Sequence, residues 1–305
     1  MARRVEQKAA ARERIAAQQA AQRRAEQRRR LLLALGAVVL VVVIVGGLIT
    51  IRLVGGGKKT ATGATGMASS GLMTALSTIP DSTFSTVGTS DVKTAPSAIN
   101  DQPPLTADGK PRVLYIGAEF CPFCAGERWP VTVALMRFGT FSNLGTTHSA
   151  AADVHPNTPT LSFHGATYTS QYLSFTGIET TTNEPQGNGY KPLDTPSAAD
   201  QAAEQKYNAP PYVDQESAGS IPFIDLGNKF IGSGATIDPE LLAGKTQDEI
   251  GEALKDPSNP ITKAVIGSAN VYTAAICKLT NNQPAKVCST DTVTQAASKL
   301  GPAKG

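Results

Sequence analysis

The sequence contains few of the residues that build metal clusters and redox centres, and this scarcity narrows the possible functions. It has only four cysteines and three histidines in 305 residues. Two of the cysteines, Cys121 and Cys124, form a Cys-x-x-Cys pair, and no second such pair exists to complete a four-cysteine zinc site. The pair is therefore a better candidate for redox chemistry than for structural zinc.

Charge of either sign is missing from residues 31–51, which are rich in Leu, Val and Ile. At 1.5 Å per residue, these 21 residues are long enough to cross the roughly 30 Å hydrocarbon core of a bilayer. A cleavable signal peptide is the alternative, but its apolar region usually has only about 7–15 residues. We therefore predict an uncleaved transmembrane anchor over residues 31–54.

Basic residues are concentrated before this anchor. Residues 1–30 hold ten basic and three acidic side chains, whereas the chain from Thr60 onward holds 15 basic and 22 acidic ones. The positive-inside rule then predicts a cytoplasmic basic helix over 1–30, although Lys58 and Lys59 beyond the anchor weaken that inference. No aromatic residue lies between the arginines to stack on bases. We expect contact with membrane lipid and no nucleic-acid partner.

The remaining composition divides the chain further. Residues 55–74 are mainly Gly, Thr, Ala and Ser and predict a flexible linker. Residues 75–290 are expected to form the folded body, and residues 291–305 a small polar tail. The predicted localisation is the cell membrane, with a single pass, a cytoplasmic N-terminus and an extracytoplasmic C-terminal domain.

The Cys-x-x-Cys pair follows a strand pattern and opens a helix pattern. Residues 112–118 are an apolar, strand-like run, and apolar residues recur at helical spacing from Val131 to Phe138. A helix N-terminus lowers the pKa of a thiol because its N–H groups are unpaired and its dipole is positive. Cys121 is therefore the candidate nucleophile, and Cys124 is close enough to resolve a mixed disulfide.

Two further sets of residues could join this pair. Glu119 is a candidate proton acceptor for Cys124, since resolving thiols need a base, or it is an exposed charge at the end of the strand. His148, His155 and His164 lie within 17 residues of one another. They are either loop histidines or, with the two cysteines, ligands of zinc or copper. We assign no metal site and no cofactor.

A second informative stretch is Ser220–Leu226, an apolar strand that begins at Pro222. It is followed by Gly227 and Asn228, a dipeptide that predicts a tight β-hairpin. A cis bond at Pro222 would expose the backbone of Ile221 to an incoming strand of substrate.

The motifs Gly117–Trp129, Ser220–Phe223 and Ala274–Thr280 together closely resemble a family of membrane-anchored proteins catalogued as domain of unknown function 929. The resemblance covers about residues 75–290. At the level of the fold the chain resembles the thioredoxin superfamily, which includes disulfide oxidoreductases. This likeness implies an α/β, thioredoxin-like fold with a large insertion between the Cys-x-x-Cys helix and the strand of the cis-proline.

The thioredoxin-like resemblance also implies roles for individual residues. Cys121 is the nucleophile, Cys124 the resolving thiol and Pro222 the cis-proline beside them. We place Ile221 and Phe123 in contact with the substrate.

The other two cysteines are expected to form a structural disulfide. All four cysteines follow the anchor, in a compartment expected to be oxidising, and Cys121 and Cys124 pair most readily with each other. That leaves Cys277 with Cys288, near the end of a helix and after a polar turn. A second redox pair that passes electrons to the first is the alternative.

The predicted function is a membrane-anchored, extracytoplasmic thiol–disulfide oxidoreductase. Its partners would be protein thiol or disulfide substrates and a quinone-linked thiol oxidase or reductase of the membrane. Two alternatives stay open: a non-catalytic thioredoxin-like binding module whose disulfides are structural, and a metal-handling protein that uses the cysteines and histidines.

Overall fold

The computed structural model describes residues 65–89, 92 and 94–304. The predicted cytoplasmic helix (1–30), the predicted transmembrane anchor (31–54) and the first ten residues of the predicted linker lie outside the described residues. None of the helices that the structure describes is both long enough and apolar enough to cross a membrane.

The described chain is a mixed α/β structure. The strands are β1 Gly66–Met67, β2 Ser97–Ile99, β3 Thr106–Ala107, β4 Lys110–Gly117, β5 Gly139–Ser142, β6 Gly145–His148, β7 Pro159–Ser162, β8 Thr167–Ser170, β9 Ser174–Glu179, β10 Thr181–Gln186, β11 Gly189–Pro192, β12 Phe223–Leu226, β13 Phe230–Ser233 and β14 Gly301–Lys304. The eight α-helices of the described residues are α1 Ser70–Ser77, α2 Asp81–Val87, α3 Pro122–Met136, α4 Ala198–Tyr207, α5 Gln247–Ala253, α6 Pro260–Leu279, α7 Ala285–Cys288 and α8 Asp291–Ala297, with a 3₁₀ turn at Pro239–Leu242.

Strand β4 lies at the centre of the largest sheet. It pairs in parallel with β9 and antiparallel with β12, and the order continues through β13 and β2 to β14, while β3 also pairs with β4. From Val113 to Gly117 every residue of β4 is buried. A strand covered on both faces needs a continuous apolar run, which is the pattern that the sequence shows here.

The two faces of β4 belong to different parts of the core. Val113 and Tyr115 join the larger cluster, to which α3 and α6 also contribute. Leu114 and Ile116 join a smaller cluster with Tyr207 at the end of α4. Alternate residues point to opposite faces of a strand, so the residues of β4 fill both clusters in turn.

Several small sheets are built mainly from the segment between α3 and β12. Strands β5 and β8 pair, β6 joins β1 to β7, and β10 and β11 form a hairpin. This segment is the predicted insertion, although it also supplies β9 to the central sheet. The hairpin begins directly after β9, and the Glu119 N–H donates to the Thr181 carbonyl beside the cysteine pair.

The folded part extends beyond the predicted boundaries at both ends. Helix α1 begins inside the predicted linker, because Ser69 caps it and Leu72 and Leu76 are buried in the core. The predicted tail contains α8 and β14. Helix α8 buries Val293 and Ala296, and β14 pairs in parallel with β2. The interpretation of 291–305 as a tail with little to pack was wrong. Two apolar residues on one face are enough to pack α8 against the core, and the free edge of β2 is enough to pair with β14.

Candidate functional site

The cysteine pair lies at the start of α3, directly after the central strand β4. Cys121 is the N-cap residue, and its sulfur accepts a hydrogen bond from the Cys124 N–H at 3.3 Å. Pro122 occupies the first turn, where its missing N–H costs no helical hydrogen bond. Both cysteines are free thiols; Cys121 is 5% exposed and Cys124 is fully buried. An approaching sulfur therefore meets Cys121 first.

The two thiols have opposite electrostatic environments. The pKa of Cys121 is lowered, first by a hydrogen bond with the Cys124 thiol, which together with backbone N–H groups and Arg128 outweighs the effect of burial. The pKa of Cys124 is raised well above its ordinary value, chiefly by burial and then by its neighbour Cys121. Cys121, the more accessible of the two, is thus favoured as the thiolate, and Cys124 as the thiol.

The structure brings the predicted residues Ile221 and Pro222, just before β12, to this pair. The Ile221–Pro222 bond is cis, as predicted, and Pro222 directly precedes β12. The Cys121 sulfur lies 3.9 Å from the Ile221 carbonyl oxygen. Phe123, between the cysteines, is 43% exposed, and its ring lies edge-on to His155 with centroids 5.9 Å apart. Backbone and an exposed aromatic side chain therefore flank the reachable thiol.

A buried ion pair lies near the cysteines, and the sequence analysis missed it. Arg128 follows Cys124 by one helical turn, and its Nε and Nη2 donate to the Glu179 carboxylate at 2.8 and 2.5 Å. Nη2 also donates to the Ala118 carbonyl at 2.8 Å, just before the cysteine pair. Both side chains are fully buried. The sequence shows that Arg128 follows Cys124 by four residues and so lies on the same side of a helix. No feature of the neighbouring sequence identified Glu179 as the partner of Arg128.

Glu119 has a different partner from the one predicted. Its carboxylate accepts a hydrogen bond from the Ser162 hydroxyl at 2.7 Å, and the residue is only partly buried. Glu179, at the end of β9, is instead the fully buried carboxylate here, and its charge interacts with that of Arg128. Chain proximity to the cysteines suggested Glu119, whereas the parallel pairing of β9 with β4 brings Glu179 there.

A second buried carboxylate, Glu127, joins α3 to two other segments. It accepts hydrogen bonds from the Tyr272 hydroxyl of α6 at 2.5 Å and from the Thr236 N–H at 2.6 Å. Burial raises the pKa of Glu127 to about 7, although these hydrogen bonds lower it. Adjacent residues of α3 thus make the two buried acid contacts, Glu127 with Tyr272 and Thr236 and Arg128 with Glu179.

The sequence also matches the model of a known protein family. The family model of the Domain of unknown function (DUF929) matches residues 97–278. The chain belongs to the DUF929 family. This confirms the family resemblance seen in the sequence. No curated protein matches the chain, and no solved structure matches it.

The DUF929 region extends from β2 into the last turn of α6. It therefore includes the cysteine pair, the Arg128–Glu179 ion pair and Pro222. It includes Cys277 but ends before Cys288, so the match covers one half of the second cysteine pair.

That second pair of the DUF929 protein is a disulfide. Cys277 and Cys288 are joined, with Cα atoms 5.6 Å apart, as predicted from the sequence. The bond links the end of α6 to α7, and both cysteines are buried.

The three histidines of this DUF929 chain have separate partners. His148 Nδ1 lies 3.0 Å from the Ser149 carbonyl oxygen, His155 Nδ1 lies 3.1 Å from Glu240, and His164 Nδ1 lies 2.7 Å from Asp194. Within residues 65–89, 92 and 94–304 no three Cys, His, Asp or Glu side chains converge in a way that would hold a metal ion.

Proposed function

We propose that this protein is a thiol–disulfide oxidoreductase that acts on protein substrates through Cys121 and Cys124. The observation that carries the proposal is the asymmetry of the pair. One thiol caps a helix N-terminus and is favoured as the thiolate, while its neighbour one turn away is buried as the thiol. Disulfide exchange requires this division between an attacking and a resolving sulfur.

Exchange with a substrate disulfide takes two steps. The Cys121 thiolate attacks one substrate sulfur, the substrate S–S bond breaks, and the departing substrate thiolate takes up a proton. Cys124 then loses its proton and attacks the Cys121 sulfur. The second substrate thiol leaves, and a Cys121–Cys124 disulfide remains. Two electrons pass to the substrate, and a dithiol reductant must restore the pair; in the reverse direction a thiol oxidant does so.

A thioredoxin-like fold is part of the proposal. The strand that precedes the cysteine pair, β4, has a parallel neighbour, β9, on one side and the antiparallel hairpin β12–β13 on the other. Pro222 directly precedes β12, next to the pair. This order of strands and the position of the two motifs support a thioredoxin-like core enlarged by the small sheets after α3.

Phe123 and Ile221 support a peptide as substrate. The Ile221 carbonyl lies beside the Cys121 sulfur, and backbone at this position suits pairing with an extended segment. Phe123 offers an apolar contact next to the thiol, and Val154, which precedes His155, is 70% exposed. We assign Ile221 to the substrate backbone and Phe123 to a neighbouring substrate side chain.

We further propose that residues 31–54 anchor the chain in the cell membrane and that the folded domain is extracytoplasmic. The uncharged apolar run and the arginines before it support this topology. A membrane enzyme linked to quinone is the proposed recycling partner. A reporter fused after Gly305 should be active only if it is exported; a cytoplasmic reporter would remove the oxidising compartment on which the proposal depends.

Cysteine variants test the chemistry. Cys124→Ser should accumulate mixed disulfides between Cys121 and substrate proteins, because the first attack proceeds and resolution does not. Cys121→Ser should give neither exchange nor adducts, and it is the matched control because both variants keep a single thiol. Adducts are detected on non-reducing gels that are then run under reducing conditions in the second dimension. If both variants lose adducts equally, the pair is a structural element.

A further inference from the structure

Arg137, the C-cap residue of α3, is a partly buried cation that has no ion-pair partner among the residues that the structure describes. Its guanidinium carbon lies 4.3 Å from the centre of the Phe84 ring. Nη1 donates to the Thr273 hydroxyl oxygen at 3.3 Å and to the Asn270 Oδ1 at 3.5 Å. Both acceptors are neutral and both distances are long for hydrogen bonds. The groups that hold Arg137 therefore do not balance its charge.

The same neighbours fix the guanidinium in position. The Asn270 Nδ2 donates to the carbonyls of Phe84 at 3.0 Å and Gly88 at 2.8 Å, which leaves its Oδ1 for Arg137. The Thr273 hydroxyl gives its own proton to a backbone carbonyl of α6, so its oxygen can accept from Arg137. A charged group held in this way is ready to bind a ligand without further ordering.

The other donors of Arg137 are available to such a ligand. A guanidinium presents five N–H groups in a planar fork that matches a carboxylate. Within the described part of the chain Nη1 has hydrogen-bond partners, whereas Nε and Nη2 have none. Burial lowers the pKa of Arg137 to about 10, so the group is still charged at neutral pH. A cation removed from water without a counter-charge is costly, and an anion would supply that charge.

Arg137 lines a cavity of about 380 Å³, which is in the size range of small-molecule sites. Asp81 and Lys286, both exposed, also line it, so two positive side chains and one negative side chain surround the space. The Cys277–Cys288 disulfide links α6 to α7, the helix that carries Lys286. The apolar part of the lining consists of Leu76, Ile79, Phe84, Val133, Met136 and Val287. This lining suits a molecule with one negative charge and a hydrocarbon body.

We propose that Arg137 binds the carboxylate of an aliphatic monocarboxylic acid whose hydrocarbon chain lies against the apolar wall of this cavity. Inorganic phosphate fits less well, because it has no use for the apolar wall and the Asp81 carboxylate would repel its second charge. Cys121 begins α3 and Arg137 ends it, so the acid site lies at the opposite end of the helix from the cysteine pair. The inference does not depend on the proposed function.

Equilibrium dialysis of labelled acetate, butanoate and hexanoate against the full-length protein tests the proposal. The protein is kept in detergent, and a protein-free blank corrects for uptake by the micelles. Affinity should rise by up to about fourfold for each methylene group that the cavity buries. Hexanamide has a similar chain without the charge. It should bind about tenfold more weakly than hexanoate or worse, because it cannot form charge-assisted hydrogen bonds of the same strength.

Arg137→Met should weaken the binding of hexanoate about tenfold or more and remove its advantage over hexanamide. Arg112→Met is the matched control. The Arg112 guanidinium is also partly buried, but it pairs with Asp200 at 2.8 Å and does not line the cavity. Loss of Arg112 should leave the affinity for hexanoate unchanged.

Any of four results would overturn the assignment: no binding of hexanoate, acetate or inorganic phosphate bound as tightly as hexanoate, hexanamide bound as tightly as hexanoate, or unchanged affinity in Arg137→Met. The comparisons among ligands use the wild-type protein, so they decide the question even if Arg137→Met fails to fold. Tighter binding with chain length, a requirement for the charge and a loss confined to the Arg137 variant would together support the site.

Discussion

Breaking the buried ion pair near the cysteines should strongly destabilise the protein. Arg128→Met removes both hydrogen bonds that Arg128 gives to Glu179 and leaves the carboxylate with one weaker contact, the Phe163 N–H at 3.4 Å. Both partners are fully buried, so water cannot replace the lost donor. An uncompensated buried charge of this kind costs about 3–5 kcal/mol.

Unfolding in urea measures this cost. The sequence contains a single tryptophan, and Trp129 is fully buried next to Arg128, so its fluorescence reports on this part of the core. We expect the free energy of unfolding to fall by about 3–5 kcal/mol and the melting temperature by roughly 10 °C. The loss should be smaller in acid, where Glu179 can take up a proton.

The double variant Arg128→Met, Glu179→Leu is the control. Replacing both charges with apolar side chains removes the unpaired charge, so most of the lost stability should return. The double variant also removes the hydrogen bond from Arg128 to the Ala118 carbonyl, but that carbonyl still accepts the Cys121 N–H at 3.3 Å. A double variant as unstable as Arg128→Met alone would refute the reasoning, because the loss would then come from packing and not from the charge.

Two further predictions concern stability. Burial raises the folded-state pKa of Glu127 to about 7 from an ordinary value of 4.5, so its contribution to stability is fully present below pH 4.5 and is lost as the pH rises through about 7. The free energy of unfolding measured from pH 4.5 to 8.5 should therefore fall by roughly 3 kcal/mol, and Glu127→Gln should abolish this fall. If the variant shows the same pH dependence, another group is responsible. The Cys277–Cys288 disulfide spans a sequence separation of 11, so replacing both cysteines by serine should lower the free energy of unfolding by about 2–3 kcal/mol. If mild dithiothreitol reduced this bond before an oxidised Cys121–Cys124 pair, its structural role would be contradicted.

The sequence alone determined the local elements of the site. An apolar run predicted the buried strand β4, and apolar residues at helical spacing after the cysteine pair predicted α3. Gly227–Asn228 predicted the β12–β13 turn. The structure has both turn residues at positive φ, 67° and 53°. These features follow from backbone preferences over a few residues, which a sequence displays directly.

Other local predictions failed where a side chain interrupted a pattern. The alternation of apolar and polar residues over 167–175 predicts a single strand. The structure divides them into β8 and β9, because the Ser170 hydroxyl oxygen accepts the Tyr172 N–H and turns the chain. Serine can form such a turn or remain in a strand, and its neighbours in space decide between them.

Only the tertiary structure decided the electrostatics around Cys124. Arg128 and Glu179 are 51 residues apart, and they meet because β9 pairs in parallel with β4 in the register that places Glu179 opposite Gly117. A shift of one residue would turn Glu179 to the other face of the sheet. Register depends on the packing of the whole core, so no short stretch of sequence could identify Glu179, rather than Glu119, as the buried carboxylate of the site.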